Sequence, residues 1–255
     1  MMRGTRRSSV IVPCAGAVVL PMPTSFQAAS AVAALILAGG RGTRLGLGPK
    51  CALELEGRSL LERAVAVAAR RCGEIVVGVA DTTVPEWQRR LGNSARVVAS
   101  GAQRRDTLER LVAASRAPWL VVLDAARPFV APAQIEAVLS GAIATGAATS
   151  AVLAHEPALL IREGAVVPGY VEGVGRIATP QAFARNCLER ALGHITAERP
   201  RNYPWVCELV METGTELRAV PAPDWYFKVT TAYDWDVARR LAGDPVYDPL
   251  APAAA

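Results

Sequence analysis

The chain of 255 residues is 51% hydrophobic and 20% charged, which supports one substantial α/β core and excludes a disordered polymer. Its 28 basic and 23 acidic residues leave a net charge of +5, suited to a small anionic ligand, and 5% aromatic content argues against base-stacking nucleic-acid binding. Five widely spaced cysteines and two histidines, His155 and His194, argue against a disulfide framework, a CxxC metal site and a histidine-centred triad.

Residues 1–30 stand apart. A basic start (Arg3, Arg6, Arg7) precedes an apolar run broken by Pro13 and Pro21, then the small, polar SFQAASA. The pattern superficially resembles a secretory signal, but its apolar run is too short to span a bilayer. It reads instead as an extension, either disordered or started too early with Met22 as the true start. The folded domain is expected over 31–243, in the cytoplasm and away from any membrane.

From residue 31 the chain alternates strand and helix. The apolar run 31–37 reads as a buried strand that breaks into the glycine loop AGGRGTRLGLGPK. A helix over 59–72 follows, with Ser59 and Glu62 at capping-box spacing. Strands at 74–80, 95–100 and 118–124 alternate with helices at 84–91 and 106–115. A helix over 132–145 leads to a strand at 147–154. The predicted class is α/β, a mostly parallel sheet with helices on both faces. Residues 155–177 are short, turn-rich and alternating, with Glu163-Gly164 placed like a hairpin turn, and read as a protruding arm. A helix is expected to open at Thr179-Pro180, followed by two short strands within 214–229 and a last helix over 230–243. The Pro- and Ala-rich tail 244–255 is expected to be loose.

Two loops carry the chemistry. Gly39, Gly40 and Gly42 let backbone amides approach a phosphate, and Arg44 and Lys50 add charge for a triphosphate. The loop is neither a Walker motif nor a GxGxxG dinucleotide fingerprint. Asp124 ends the strand at 118–124, and parallel strands deliver their C-terminal ends to one sheet edge, so it should face the glycine loop. A carboxylate there suits a Mg²⁺ ligand; helix capping or pairing with Arg127 is the plainer alternative. The segment from Gly101 to Thr107 adds a basic side chain and a hydroxyl on the same edge.

LAGGRGTRLGLGPK, GAQRRDTLERL, VVLDAARPFV, TPQAF and FKVTTAYD occur in an order and spacing that resemble the 2-C-methyl-D-erythritol 4-phosphate cytidylyltransferases, over residues 33–241. The resemblance implies a Rossmann-like nucleotidyltransferase fold and a homodimer built by the arm. It implies CMP transfer from CTP to a small phosphorylated polyol. Transfer to another polyol phosphate or a phosphonate, or a catalytically silent nucleotide-binding homologue, are the alternatives. Position by position it implies that Ala38, Gly39, Gly40 and Gly42 cradle the nucleotide. Gly101, Arg104 and Thr107 line its pocket, and Asp124 holds Mg²⁺. Arg44, Lys50 and Lys228 stabilise the reacting phosphates, and Arg127 lies on the acceptor side.

The acceptor half departs from the family. Leu123 stands where histidine is usual, and Val171 where an arginine eight residues before TPQ is usual. His155-Glu156-Pro157-Ala158 replaces a threonine segment, and Pro204-Trp205-Val206 replaces Thr-Asp-Asp/Glu. Arg162 and Arg176 are the arginines placed to compensate at the acceptor phosphate.

Overall fold

Strand β1 (Val32–Leu37) is buried at every position, and its side chains alternate between two cores. In the computed structural model, which describes residues 31–40, 42–154, 156, 160–163, 165–167, 174–194 and 206–252, Ala34 and Ile36 face one core. Ala33, Leu35 and Leu37 face the other. A run apolar throughout is what a strand covered on both faces requires. Strand β6 (Trp119–Asp124) alternates in the same way, with Val121 and Leu123 on the first side and Leu120 and Val122 on the second.

After β1 come the short pair β2 (Glu54–Leu55) and β3 (Arg58–Ser59), then α1 (Leu60–Ala68), β4 (Glu74–Val79), α2 (Val84–Leu91), β5 (Arg96–Ala99) and α3 (Arg104–Ala113). Beyond β6 lie α4 (Pro132–Thr145), β7 (Ala147–Leu153), the hairpin β8 (Leu160–Arg162) and β9 (Ala165–Val167), and β10 (Gly175–Ala184). The chain then forms α5 (Arg185–Gly193), α6 (Val206–Glu212), β11 (Leu217–Pro221) and α7 (Ala232–Leu241). The seven-stranded sheet has the order β11-β7-β10-β6-β1-β4-β5. Its strands are parallel except β10, which pairs antiparallel with β6 and β7. Helices α1, α2 and α4 cover one face, and α3, α5 and α6 the other. The predicted α/β class, mostly parallel with helices on both faces, is the one observed. Ser59 caps α1 in a reciprocal capping box with Glu62, as its spacing suggested.

Three local expectations are corrected. No helix opens at Thr179-Pro180: residues 175–184 form β10, the Thr179–Pro180 peptide is cis, and α5 starts at Arg185. Ala182 and Phe183 are fully buried between β6 and β7, so burial overrides the Thr-Pro helix-start signal. The arm is therefore shorter than 155–177, because Ala154 N donates to Val174 O at 2.8 Å and Gly175 already pairs with Leu153. Within it, β8 and β9 pair antiparallel, and Glu163 takes a left-handed φ of 49° at their turn. Second, the 214–229 segment holds one strand rather than two. Pro221 and Pro223 remove ladder donors, and the chain beyond β11 runs irregularly. Third, the tail is not loose over its described residues, 244–252. Asp248 is buried against Arg63, and Leu250 packs on the core. The expectations for 1–30 lie outside the described residues.

Candidate active site

Strand order reverses beside β1, whose neighbours are β4 and β6, and this is where open α/β sheets place their ligands. In the β1–β6 register Leu37 pairs with Asp124, so the glycine loop and the carboxylate leave the sheet side by side. The loop is tightly folded. Gly42 has φ +70°, and a Cβ there would sit 2.0 Å from Gly48 O. Across the cleft Gly101 has as little room, since a Cβ would lie 2.2 Å from Asp106 Cβ. Gly101 N donates to Thr107 Oγ1 at 3.0 Å, and that hydroxyl donates to Gln103 O at 3.1 Å. Thr107 thus holds the opening of α3 against the strand end.

The cleft between these loops has a volume of about 340 Å³, within the range of small-ligand sites. Ala38, Gly39, Gly40, Gly42, Arg44, Lys50, Gly101, Arg104, Thr107, Asp124 and Lys228 all line it, so residues far apart in sequence converge as expected. Thr43, Cys51, Ser100 and Gln103 also line it and were not singled out. Ser100 had a usable signal: it directly follows the edge strand β5 at the same sheet edge as Asp124 and precedes Gly101.

Among the described residues, Asp124 is the only acidic side chain in the lining. Arg104 Nη1 donates to its Oδ1 at 2.7 Å, Lys228 Nζ donates to Oδ2 at 3.1 Å, and Arg127 Nε lies 3.8 Å from Oδ2. Burial alone would push the carboxyl's pKa up. The Arg104, Lys228 and Arg127 charges outweigh it and hold the group ionised, well below the usual carboxylate range. Lys50 Nζ donates to Val229 O at 2.8 Å. Its pKa is lowered by partial burial and then by the neighbouring charges of Lys228 and Arg44. Four cations lining the cleft (Arg44, Lys50, Arg104 and Lys228) against one carboxylate make a site for a polyanion.

Of the acceptor-side arginines, neither Arg127 nor Arg176 lines this cleft. Arg127 is buried, and its guanidinium donates to the carbonyls of Tyr226 and Ile177. Arg176 is 70% exposed, 3.8 Å from Asp224. Arg162 lies on β8, and its side chain is outside the described residues, as are Pro157, Val171 and Trp205. Leu123, in place of the usual histidine, is buried in the core and faces away from the cleft chemistry.

Among the described residues, no three His, Cys, Asp or Glu side chains cluster as a metal cage. A single carboxylate beside a cluster of cations fits an ion that would bring its remaining oxygens from a phosphorylated ligand and water, which is how Mg²⁺ is commonly held.

The family model described as 2-C-methyl-D-erythritol 4-phosphate cytidylyltransferase matches residues 32–242, ending before the tail. A protein of that description from Deinococcus radiodurans is 40% identical over 219 residues, covering 83% of this chain and 89% of its own. One from Thermus thermophilus is 35% identical over 216 residues, covering 83% of this chain and 97% of its own. The crystal structure of 2-C-methyl-D-erythritol 4-phosphate cytidylyltransferase from Thermus thermophilus superposes with a TM-score of 0.70 at 29% identity, over 82% of this chain and 98% of that one. A 4-diphosphocytidyl-2C-methyl-D-erythritol synthase from Anaerococcus prevotii (TM-score 0.71, 18% identity, 83% of this chain and 98% of that one) shares the fold.

Proposed function

This chain belongs to the 2-C-methyl-D-erythritol 4-phosphate cytidylyltransferase family, and we propose that it transfers CMP from CTP to 2-C-methyl-D-erythritol 4-phosphate, releasing pyrophosphate. The observation that carries this reading is the convergence of Arg44, Lys50, Arg104 and Lys228 on a glycine-walled cleft with Asp124 at its floor.

The acceptor phosphate has a second pKa of about 6, so it is nucleophilic at neutral pH without a general base. This suits a cleft with no histidine among its described lining residues. One acceptor oxygen attacks the α-phosphorus of CTP in line, forming a new P–O bond as the α–β bridge breaks and pyrophosphate carries away its electron pair. Arg44, Lys50 and Lys228 stabilise charge that develops on the transferring and leaving oxygens, each removal costing on the order of 3–4 kcal/mol in the transition state. The Ala38–Gly42 backbone cradles the nucleotide. Gly101, Arg104 and Thr107 wall the cytidine, with Thr107 acting by pinning Gly101. Asp124 is the residue that would hold Mg²⁺, which when bound would supply charge neutralisation to the triphosphate.

We assign the acceptor phosphate to Arg162 and Arg176 at the arm. Arg127, fixed by the Tyr226 and Ile177 carbonyls, is assigned to the wall between cleft and arm. The arm also supports a homodimer. Ile161 on β8 is 66% exposed and Leu153 at its base 43%, apolar surface that a second copy would cover. No helix among the described residues is long and apolar enough to cross a membrane, and the charged substrates favour a cytoplasmic setting. Pyrophosphate release that requires both CTP and the methylerythritol acceptor tests the reading. Equal release with other nucleotides overturns it.

A further inference from the structure

The tail beyond the family match supplies one partner of the most buried ion pair among the described residues. Arg63 of α1 and Asp248 have side-chain exposures of 2% and 1%, and Arg63 Nη2 donates to Asp248 Oδ1. Asp248 accepts two further bonds, from Gly243 N at 2.9 Å on Oδ2 and from Leu250 N at 2.9 Å on Oδ1. Arg63 Nη1 reaches Leu55 O at 3.5 Å. Nothing in the proposed reaction uses these groups.

What they connect is specific. Leu55 lies in the short β2–β3 pair that follows Lys50, and Leu60 N returns to Leu53 O at 2.8 Å. Gly243 ends the segment that starts at Lys228 and continues through α7. Between the two runs a small core of Leu45, Leu55, Leu60, Phe129, Val229 and Ala238. It thus joins the glycine loop to the residue after Lys228. On the cleft side the same two segments meet again, where Lys50 Nζ donates to Val229 O at 2.8 Å. The tail adds a second grip, with the Tyr247 ring edge-on to Trp225 at 5.4 Å, three residues before Lys228.

We propose that the buried Arg63–Asp248 pair is a positioning device. It ties the far ends of the Lys50 and Lys228 segments through the tail and so fixes the separation of the two lysines. Replacing both partners of a buried pair together can leave stability nearly unchanged, whereas removing one alone is strongly destabilising, so the double replacement is the change that isolates alignment. The role of the lysines rests on the function proposed above, whereas the clamp itself is a property of the fold.

The test uses the full-length chain carrying Arg63→Met and Asp248→Leu together, so that no buried charge is orphaned. Hydrogen–deuterium exchange is followed at residues 50–55 and 228–231, with steady-state turnover measured in parallel. Exchange at both segments is expected to speed up, and kcat to fall about ten- to a hundredfold through misalignment, with KM for CTP within about threefold. Exchange that speeds only within 243–252 overturns the clamp, whatever turnover does. Absence of turnover in the wild-type chain as well counts against the proposed function alone, and exchange then decides the clamp. Should the double variant not fold, Arg63→Lys, which keeps a cation beside Asp248 but lacks the forked second arm that reaches Leu55 O, is read by the same criteria.

Discussion

Replacing Asp124 with asparagine removes one negative charge and almost no volume. The carboxylate faces Arg104 Nη1 at 2.7 Å, Lys228 Nζ at 3.1 Å and Arg127 Nε at 3.8 Å. An amide can accept from one of these donors, but its NH₂ group then opposes another. Removing one partner of a buried pair costs about 3–5 kcal/mol. Here Arg104 and Lys228 keep 24% and 31% side-chain exposure and can turn toward water, so about 2–3 kcal/mol is expected. For a domain of this size that lowers Tm by about 4–12 °C. Turnover should fall on the order of 10²-fold, because the same variant loses the ligand assigned to the metal. The pH dependence has a definite sign. The folded carboxyl's pKa lies below its unfolded value, so its contribution is complete above about pH 4 and declines as pH falls toward the lowered folded value. Melting curves of wild type and variant should therefore differ most at neutral pH and converge in acid. A Tm difference under about 1 °C at pH 7, or one that widens on acidification, would refute the reasoning.

Lys50→Ala and Lys228→Ala should each lower kcat by roughly 10²- to 10³-fold with unchanged circular dichroism, and near wild-type turnover of either removes that lysine from the mechanism. Gly42→Ala places a Cβ 2.0 Å from Gly48 O at φ +70°, a strain of about 1–3 kcal/mol, and should raise KM for CTP about tenfold or more. An unchanged KM would detach the glycine loop from the nucleotide. Light scattering at micromolar protein should give twice the chain mass, and Ile161→Glu on the exposed hairpin should shift it to monomer. A wild-type monomer contradicts the arm's assignment.

The parts of the fold legible in the sequence were those set by local pattern. An all-apolar run ending in glycines or a carboxylate identified β1 and β6, and parallel geometry then brought Leu37 and Asp124 together. The parts that were not legible depend on partners distant in the chain. Thr179-Pro180 carries a helix-start signal, yet the segment becomes β10 because β6 and β7 leave one slot between them. There its buried Gln181 donates through Nε2 to Thr149 Oγ1 at 2.9 Å. Arg127 reads in sequence as a partner for Asp124 or an acceptor-side arginine, but the carbonyls of Tyr226 and Ile177 hold it in place. Asp248 sits in a Pro- and Ala-rich tail that looks unstructured until Arg63 is found opposite. The departures at Val171 and Pro157 involve the arm, where composition shows what is missing without showing what replaces it.

The central claim is most directly tested by pyrophosphate release in the presence of Mg²⁺, with CTP, ATP, GTP or UTP each paired with methylerythritol phosphate, ribitol phosphate, glycerol phosphate or 2-aminoethylphosphonate. The account predicts that CTP with methylerythritol phosphate reaches a kcat/KM of about 10⁵ M⁻¹s⁻¹ or better, that every other pair is at least about a hundredfold slower, and that excess chelator stops the reaction. Faster release with another acceptor or nucleotide, or full turnover under chelation, would contradict it.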